Sequence, residues 1–146
     1  MKKLALEAAS LIVDEALKRA GELQLKPLTV AVLDAGGHLV AFKRQDQSGI
    51  LRPDIAQGKA WGALGMGLGG RELAKRADHA PAFYAALASV SGGRMIPVPG
   101  GVLIKDGEGD IIGAVGISGD LPDNDEACAV HGIRRAGLDA EPGGAH

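Results

Sequence analysis

The sequence predicts a single α+β domain, and three observations lead to that fold class. Two stretches have the pattern of strand, tight turn and strand, and segments with helical periodicity lie before, between and after them. The strands are grouped in hairpins instead of alternating singly with helices, which argues against a Rossmann-type βαβ fold. The 146 residues suffice for one domain with a core that needs no disulfide.

The first element is a helix over residues 3–22. Its polar residues recur every three or four positions and form one stripe: Lys3, Glu7, Ser10, Asp14 and Lys18. Small and aliphatic residues lie opposite, as in a helix that packs on a core through one face. Gly21 is a stop signal near its end.

Two hairpins supply most of the predicted sheet. The first joins strands over Leu28–Leu33 and His38–Phe42, and the second joins Val102–Lys105 and Asp110–Ser118. Both turns have the same form, Asp-x-x-Gly followed by a polar residue and two aliphatic residues. Asp and Gly in these places are typical of tight turns between antiparallel strands. We therefore expect both hairpins in one antiparallel sheet.

Helices and a short strand fill the remaining chain. The predicted helices span residues 53–70, 71–77, 81–89 and 124–137, and a short extra strand is expected over 94–98. Asp125 and Glu126 lie in the first turn of the last helix, where acidic residues are favoured. We expect the domain to occupy residues 1–140 and residues 141–146 to form a loose tail.

A stripe of glycines marks the middle helix. Glycine accounts for 23 of the 146 residues, well above the usual share of about 7%. Gly58, Gly62, Gly65 and Gly69 are spaced by four, three and four, so they share one helix face. Each mid-helix glycine costs about 0.5–1 kcal/mol relative to alanine. Either another backbone packs against this face, or the face is the floor of a ligand site.

Composition excludes several classes of protein. The formal net charge is −2 and aromatic residues make up 3%, which argues against a nucleic-acid-binding surface. The single cysteine, Cys128, excludes an internal disulfide and a cysteine-rich metal site. We find no apolar run of transmembrane length, no signal-peptide pattern and no basic membrane-binding tract, so we expect a cytoplasmic protein without a membrane partner.

Polar residues near the glycine stripe are candidates for ligand binding. Arg52, Asp54 and Lys59 lie in the first turns of the middle helix, and Arg94 follows a pair of glycines. Arg and Lys hold carboxylates or propionates, and the amides of a glycine turn bind anions. The predicted ligand-binding set is Arg52, Gly58, Gly62, Arg94, Gly100 and Gly101. The alternative is solvated charge beside turn-forming glycines.

The same motifs resemble those of the GlcG/HbpS family. The resemblance rests on four groups of residues in this order: Val32-Leu33-Asp34 with Gly37, Leu39 and Val40; Lys59-Ala60; Pro97–Ile104; and Ile112–Gly119 followed by Asp125-Glu126. It covers about residues 4–138. It implies a profilin-like or PAS-like fold, with a five-stranded antiparallel sheet and helices on both faces, and homo-oligomers. It also implies relatedness to the C-terminal domain of PduO-type adenosyltransferases and, in some members, haem binding.

Two functions follow as alternatives. The first is a cytosolic, oligomeric binding protein for a small acidic or tetrapyrrole ligand such as haem, with His131 preferred over His38 and His79 as the iron ligand. The second is an isomerase, hydratase or lyase acting on a small carboxylate. Asp54, Lys59, Glu126 and His131 would then supply acid and base groups, because such reactions move protons.

Overall fold

A computed structural model describes residues 3–144 of the chain. Its five helices are α1 (Leu6–Glu22), α2 (Arg52–Met66), α3 (Gly70–His79), α4 (Pro81–Val90) and α5 (Pro122–Arg135). Its five strands are β1 (Thr29–Asp34), β2 (Leu39–Arg44), β3 (Gly101–Lys105), β4 (Ile111–Ser118) and β5 (Asp139–Glu141). In this part of the chain, no helix is long and apolar enough to cross a membrane.

The five strands form one open antiparallel sheet in the order β2-β1-β4-β3-β5. Both expected hairpins are present, and β4 joins them by pairing with β1 as well as with β3. Val115, for example, lies opposite Val32 on one side and Val102 on the other. The predicted α+β fold with a five-stranded antiparallel sheet is confirmed.

Helices cover both faces of the sheet. Alternate strand residues such as Val30, Val32 and Ile104 pack against α1 and α5, which also pack on each other. The intervening residues Leu33 and Leu103 face α2 on the opposite side. This alternation follows from the two-residue period of a strand, because successive side chains point to opposite faces. Any site on α2 is therefore separated from α1 by the sheet.

The fifth strand is not where the sequence predicted it. Residues 94–98 form no strand and instead lie along α2, where the Ile96 amide donates to the Gly58 carbonyl at 3.2 Å. Pro97 interrupts this segment, and a proline has no N–H to donate to a strand ladder. The fifth strand is β5, whose residue Ala140 pairs with Ile104.

The predicted helices occur with shifted ends. The middle helix ends at Met66 instead of residue 70, because Gly67 adopts a left-handed conformation with φ of 67° and caps it. Gly69 then precedes α3, which begins at Gly70. The last helix begins at Pro122, two residues earlier than expected, because proline is favoured in a first helical turn.

The chain after α5 is held against the domain, although a loose tail was expected over residues 141–146. Glu141 pairs with Leu103, and the Pro142 carbonyl accepts a hydrogen bond from the Arg71 amide at 3.1 Å. Pro142 is buried against Gly69, where a Cβ on that glycine would overlap the proline carbonyl group. The last two residues, Ala145 and His146, lie outside the described part of the chain.

Candidate functional site

A pocket of about 520 Å³ lies between α2, the turn that joins β1 to β2, and residues 91–96. Its volume falls in the range of cofactor and small-molecule sites, roughly 300–1,000 Å³. Apolar side chains from three segments line it, and they are joined by a few polar groups: Leu33, Leu51, Ile55, Trp61 and Ile96 with Asp54, Gln57 and Arg94. A mainly apolar lining with few polar groups is typical of ligand sites.

Trp61 and Arg94 form the most distinctive contact in this pocket. The Arg94 guanidinium carbon lies 4.2 Å from the centre of the Trp61 ring, within the range of a cation–π interaction. The Arg94 Nε also donates to the Ser91 carbonyl at 3.2 Å. The arginine head is thus held over an aromatic surface at the pocket, where it can meet an anionic ligand group.

The turn between β1 and β2 closes the pocket near Trp61. Gly37, with φ of 83°, lies so close to Trp61 that an added Cβ would be 3.4 Å from the indole ring. The Asp34 Oδ1 atom accepts hydrogen bonds from the Gly36 and His38 amides, both at 3.0 Å, and lies 3.1 Å from His38 Nδ1. A side chain that binds its own turn in this way fixes the turn conformation.

Two of the stripe glycines, Gly58 and Gly62, pack against residues 94–96. A Cβ on Gly58 would overlap the Arg94 carbonyl oxygen, and a Cβ on Gly62 would lie 3.0 Å from Met95 Cγ. The stripe therefore lets residues 94–96 lie directly on α2. Gly58 lines the pocket as well, so its missing side chain both admits this segment and leaves space for a ligand.

Lys59 lies on the sheet side of α2 and not in the pocket. Its side chain is 4% exposed, and its Nζ donates to the Ile117 carbonyl at 2.8 Å and to Asp125 Oδ2 at 3.3 Å. Gly100 and Gly101 pack on this lysine, since a Cβ on Gly100 would lie 2.8 Å from Nζ. Gly100 and Gly101, which were expected to bind a ligand, therefore lie beside the buried Lys59–Asp125 ion pair.

Burial dominates the titration of this pair. It raises the pKa of Asp125 to about 6, against the opposing influence of the Lys59 ammonium and of the Asp120 amide that donates to the carboxylate. Burial also lowers the pKa of Lys59, although Asp125 favours its charged form. The loss of hydration disfavours both charged forms by more than the attraction between the two charges restores.

The other predicted residues have separate partners. Arg52 donates to the Ser118 hydroxyl at 3.0 Å, and Glu126, with a fully buried side chain, accepts from Arg71 Nε at 3.0 Å. His131 is one-third exposed and lies 3.9 Å from Glu15 of α1, across the sheet from α2. The structure therefore does not bring His131 to the pocket.

Of the predicted residues, the structure groups Asp54, Gly58 and Arg94 at the pocket. It does not unite Asp54, Lys59, Glu126 and His131 in one acid–base arrangement, because the last three have the partners just described. Trp61 is absent from the predicted ligand-binding set, but it lines the pocket while also packing against two hydrophobic clusters. Its position beside the glycine stripe as the single tryptophan was the available signal.

The fold and this pocket define a class of protein. It is an α+β domain built on one sheet, and α2, which covers one face of that sheet, carries a pocket of small-ligand size. The chain belongs to the HbpS-like family, since the family model described as "Haem degrading protein HbpS-like" matches residues 4–134. The family expected from the motifs is thereby confirmed.

Individual relatives agree with this assignment. The corrinoid adenosyltransferase PduO of Citrobacter freundii is 31% identical over 110 residues, which are 75% of this chain and 32% of that protein. The chain thus spans about a third of the length of that relative. The crystal structure of a PduOC:heme complex matches with a TM-score of 0.84 and 27% identity, covering 94% of this chain and 97% of that chain. A double mutant of Streptomyces reticuli HbpS matches with a TM-score of 0.81 and 29% identity, covering 92% and 88%.

Proposed function

We propose that the protein binds haem, or a tetrapyrrole of the same shape and charge, in the pocket between α2 and residues 91–96. The observation that carries the proposal is the pairing of an apolar, cofactor-sized pocket with the Trp61–Arg94 contact inside it. Haem combines a flat apolar ring with carboxylate groups, so it needs both features. The heme complex of the related PduOC, a protein of the same fold, adds support.

The residues at the pocket fit this group. Leu33, Ile55 and Ile96 would provide aliphatic contacts, and Trp61 would provide an aromatic surface for the ring. The Arg94 guanidinium suits a propionate, because its planar donors match a carboxylate. When bound, haem would supply an iron centre whose behaviour depends on the protein ligand and on the polarity around it.

The proposal predicts that purified apo-protein binds haem saturably, with a Soret band that stops changing at about one haem per chain. Trp61→Ala is expected to weaken binding by about tenfold or more, because a buried aromatic contact is commonly worth at least about 1.4 kcal/mol. Arg94→Ala is expected to weaken binding of haem more than binding of its dimethyl ester, which lacks the carboxylates. The measurement is a visible-absorbance titration.

Arg135→Ala is the matched control for this titration, because Arg135 lies on α5 across the sheet, beside Glu15. It should bind haem like the wild type. Saturable binding that is unaffected by Trp61→Ala would place the site elsewhere. If the wild type shows no saturable change, haem binding is rejected, and small carboxylates become the ligands to screen by thermal shift.

We also propose that the chain forms homo-oligomers through α4. This helix exposes Phe83 (56%) and Val90 (84%), and the segment from Ala80 to Gly93 contains no charged residue. An uncharged apolar surface offers no electrostatic attraction to a charged partner, whereas a second copy presents an equally apolar face. Self-association through a two-fold contact would bury both faces at once.

This proposal predicts a solution mass that is a multiple of the 14.8 kDa chain. Phe83→Glu and Val90→Glu are expected to reduce it, because each places a charge in the contact. Light scattering after size exclusion is the measurement. Ile50→Glu, at an apolar residue that is 96% exposed outside α4, should leave the mass unchanged. Dissociation by Ile50→Glu alone would contradict the assignment to α4.

A cytoplasmic location is part of the same proposal. The single cysteine, Cys128, is buried, and a chain without a disulfide is compatible with a reducing compartment. Burial, followed by the nearby Asp125 carboxylate, raises the pKa of this thiol to about 11. Cys128 is therefore a small packing residue and not a reactive thiolate.

A further inference from the structure

A tight turn over residues 91–94 connects the end of α4 to the wall of the pocket. Its two glycines, Gly92 and Gly93, line the pocket together with Arg94, which follows them in the chain. The Gly93 amide donates to the Ala88 carbonyl at 2.7 Å, so the turn folds back onto the last turn of α4. The position of Arg94 therefore depends on how this turn is held.

The Ser91 hydroxyl joins the two ends of the turn. It donates to the Ala88 carbonyl at 3.1 Å and accepts the Met95 amide at 3.1 Å. One side chain thus links α4 to the residue that follows Arg94. Ser91 itself is 6% exposed and is not among the residues that line the pocket. Its replacement would change the support of the pocket wall and not the surface that a ligand meets.

The Ser91 carbonyl holds Arg94 directly. It accepts the Arg94 amide at 3.3 Å and Arg94 Nε at 3.2 Å. These two bonds fix both ends of the Arg94 residue, whose guanidinium carbon lies 4.2 Å from the centre of the Trp61 ring. A guanidinium has five N–H donors, and the bond to Ser91 uses the one on Nε. The terminal nitrogens carry the donors that a carboxylate would accept in a bidentate pair.

We propose that Ser91 is a positioning residue that gives the pocket its preference for carboxylate-bearing ligands, because it holds Arg94 over Trp61. This inference rests on the proposed function, since it assigns how that site recognises propionates. An arginine that is already held in its binding conformation loses less conformational freedom when the ligand arrives. The Ser91 hydroxyl therefore favours the carboxylates of the ligand and not its apolar ring.

The first test needs no ligand. Trp61 is the single tryptophan, so its fluorescence in the ligand-free full chain reports on the Arg94 head beside it. Ser91→Ala is expected to shift the emission in the same direction as Arg94→Ala, because the guanidinium leaves the ring in both variants. Ser89→Ala is the matched control, at an exposed serine two residues earlier in α4, and should keep the wild-type emission. Wild-type emission from Ser91→Ala would overturn the inference.

The second test compares haem with its dimethyl ester in absorbance titrations. Ser91→Ala is expected to weaken haem binding by about three- to tenfold, the usual effect of losing one hydrogen bond, and to leave binding of the ester nearly unchanged. In an Arg94→Ala background, Ser91→Ala should have no further effect on haem binding, because the two residues act as a unit. A purely structural role would weaken both ligands equally and in both backgrounds, and that result would overturn the inference while leaving the proposed function intact.

A conservative variant guards against a loss of folding in Ser91→Ala. Ser91→Thr keeps a hydroxyl that can make the same two hydrogen bonds, so it should keep the wild-type emission and the wild-type preference for haem over the ester. A folded Ser91→Thr protein without that preference would contradict the role of the hydroxyl. A wild type that binds neither ligand saturably would reject the proposed function, and with it the ligand preference assigned to Ser91.

Discussion

Replacing Lys59 by methionine is expected to lower the free energy of unfolding by about 3–5 kcal/mol at neutral pH. The variant leaves the Asp125 carboxylate, whose side chain is 1% exposed, without its counter-charge. It also removes the donor that Lys59 Nζ provides to the Ile117 carbonyl. Both losses fall where α2, β4 and α5 meet, so the variant weakens the contact between three elements. Urea denaturation followed by circular dichroism measures the change.

The loss of stability caused by Lys59→Met should increase as the pH rises. The pKa of Asp125 is raised from 3.8 to about 6 in the folded protein, so the folded state binds more protons than the unfolded chain in that range. Its contribution to stability is complete below about pH 3.8 and is lost as the pH rises through about 6. Without Lys59 the pKa of Asp125 rises further, and the loss continues to higher pH. The stability difference between wild type and Lys59→Met should therefore widen from about pH 5 to about pH 8.

The titration of Lys59 also widens the stability difference between wild type and Lys59→Met as the pH rises. Its pKa is lowered in the folded protein, so the wild type binds fewer protons than the unfolded chain as the pH approaches 10.5 and gains stability there. Lys59→Met lacks this gain. An equal stability difference at about pH 5 and about pH 8 would contradict the pairing of Lys59 with Asp125.

Two variants isolate the cause of the effect. Lys59→Met combined with Asp125→Leu should recover much of the lost stability, because apolar residues of similar size often replace a buried ion pair at little cost. Lys43→Met is the surface control. Lys43 lies 2.7 Å from Asp14, but both side chains are more than half exposed, and removal of such a pair changes stability by less than about 1 kcal/mol.

The local parts of the fold could be predicted because their causes lie within a few residues. In both hairpins an aspartate accepts the amides two and four residues later: Asp34 from Gly36 and His38, and Asp106 from Glu108 and Asp110. That contact is encoded in the Asp-x-x-Gly turn itself. β5 was missed because its three residues, Asp139 to Glu141, show no apolar alternation and form a strand only by pairing with β3.

The candidate site was predictable in part for the same reason. Arg94 and Asp54, which line the pocket, were chosen as candidates because polar residues beside glycines and at helix starts have a local signature. The partner of Lys59 was not identified, since Asp125 is 66 residues away in sequence and meets it only in the folded sheet. His131 was preferred as a ligand because two arginines lie near it in the sequence, but the side of the sheet it occupies is decided by α5 packing on α1.

Gly116→Ala is expected to lower the free energy of unfolding by about 3 kcal/mol, the upper part of the range for overpacking a tight core. Gly116 lies in β4 directly under α2, and an added Cβ would overlap the Ala56 carbonyl oxygen and lie 2.9 Å from the Ala60 amide nitrogen. These are backbone atoms of a helix, so they cannot move aside as a flexible side chain would. The helix must shift away from the sheet.

The same shift should weaken the proposed haem binding, because α2 carries Trp61 and Gly58 at the pocket. Gly107→Ala is the matched control: Gly107 lies in the turn between β3 and β4, and an added Cβ there has no atom within 4 Å. Its stability should change by no more than about 0.5 kcal/mol, and its haem affinity should match the wild type. Equal stability of the two alanine variants would contradict the direct contact of α2 with β4. A destabilised Gly116→Ala variant that binds haem normally would instead show that haem binding does not depend on the position of α2.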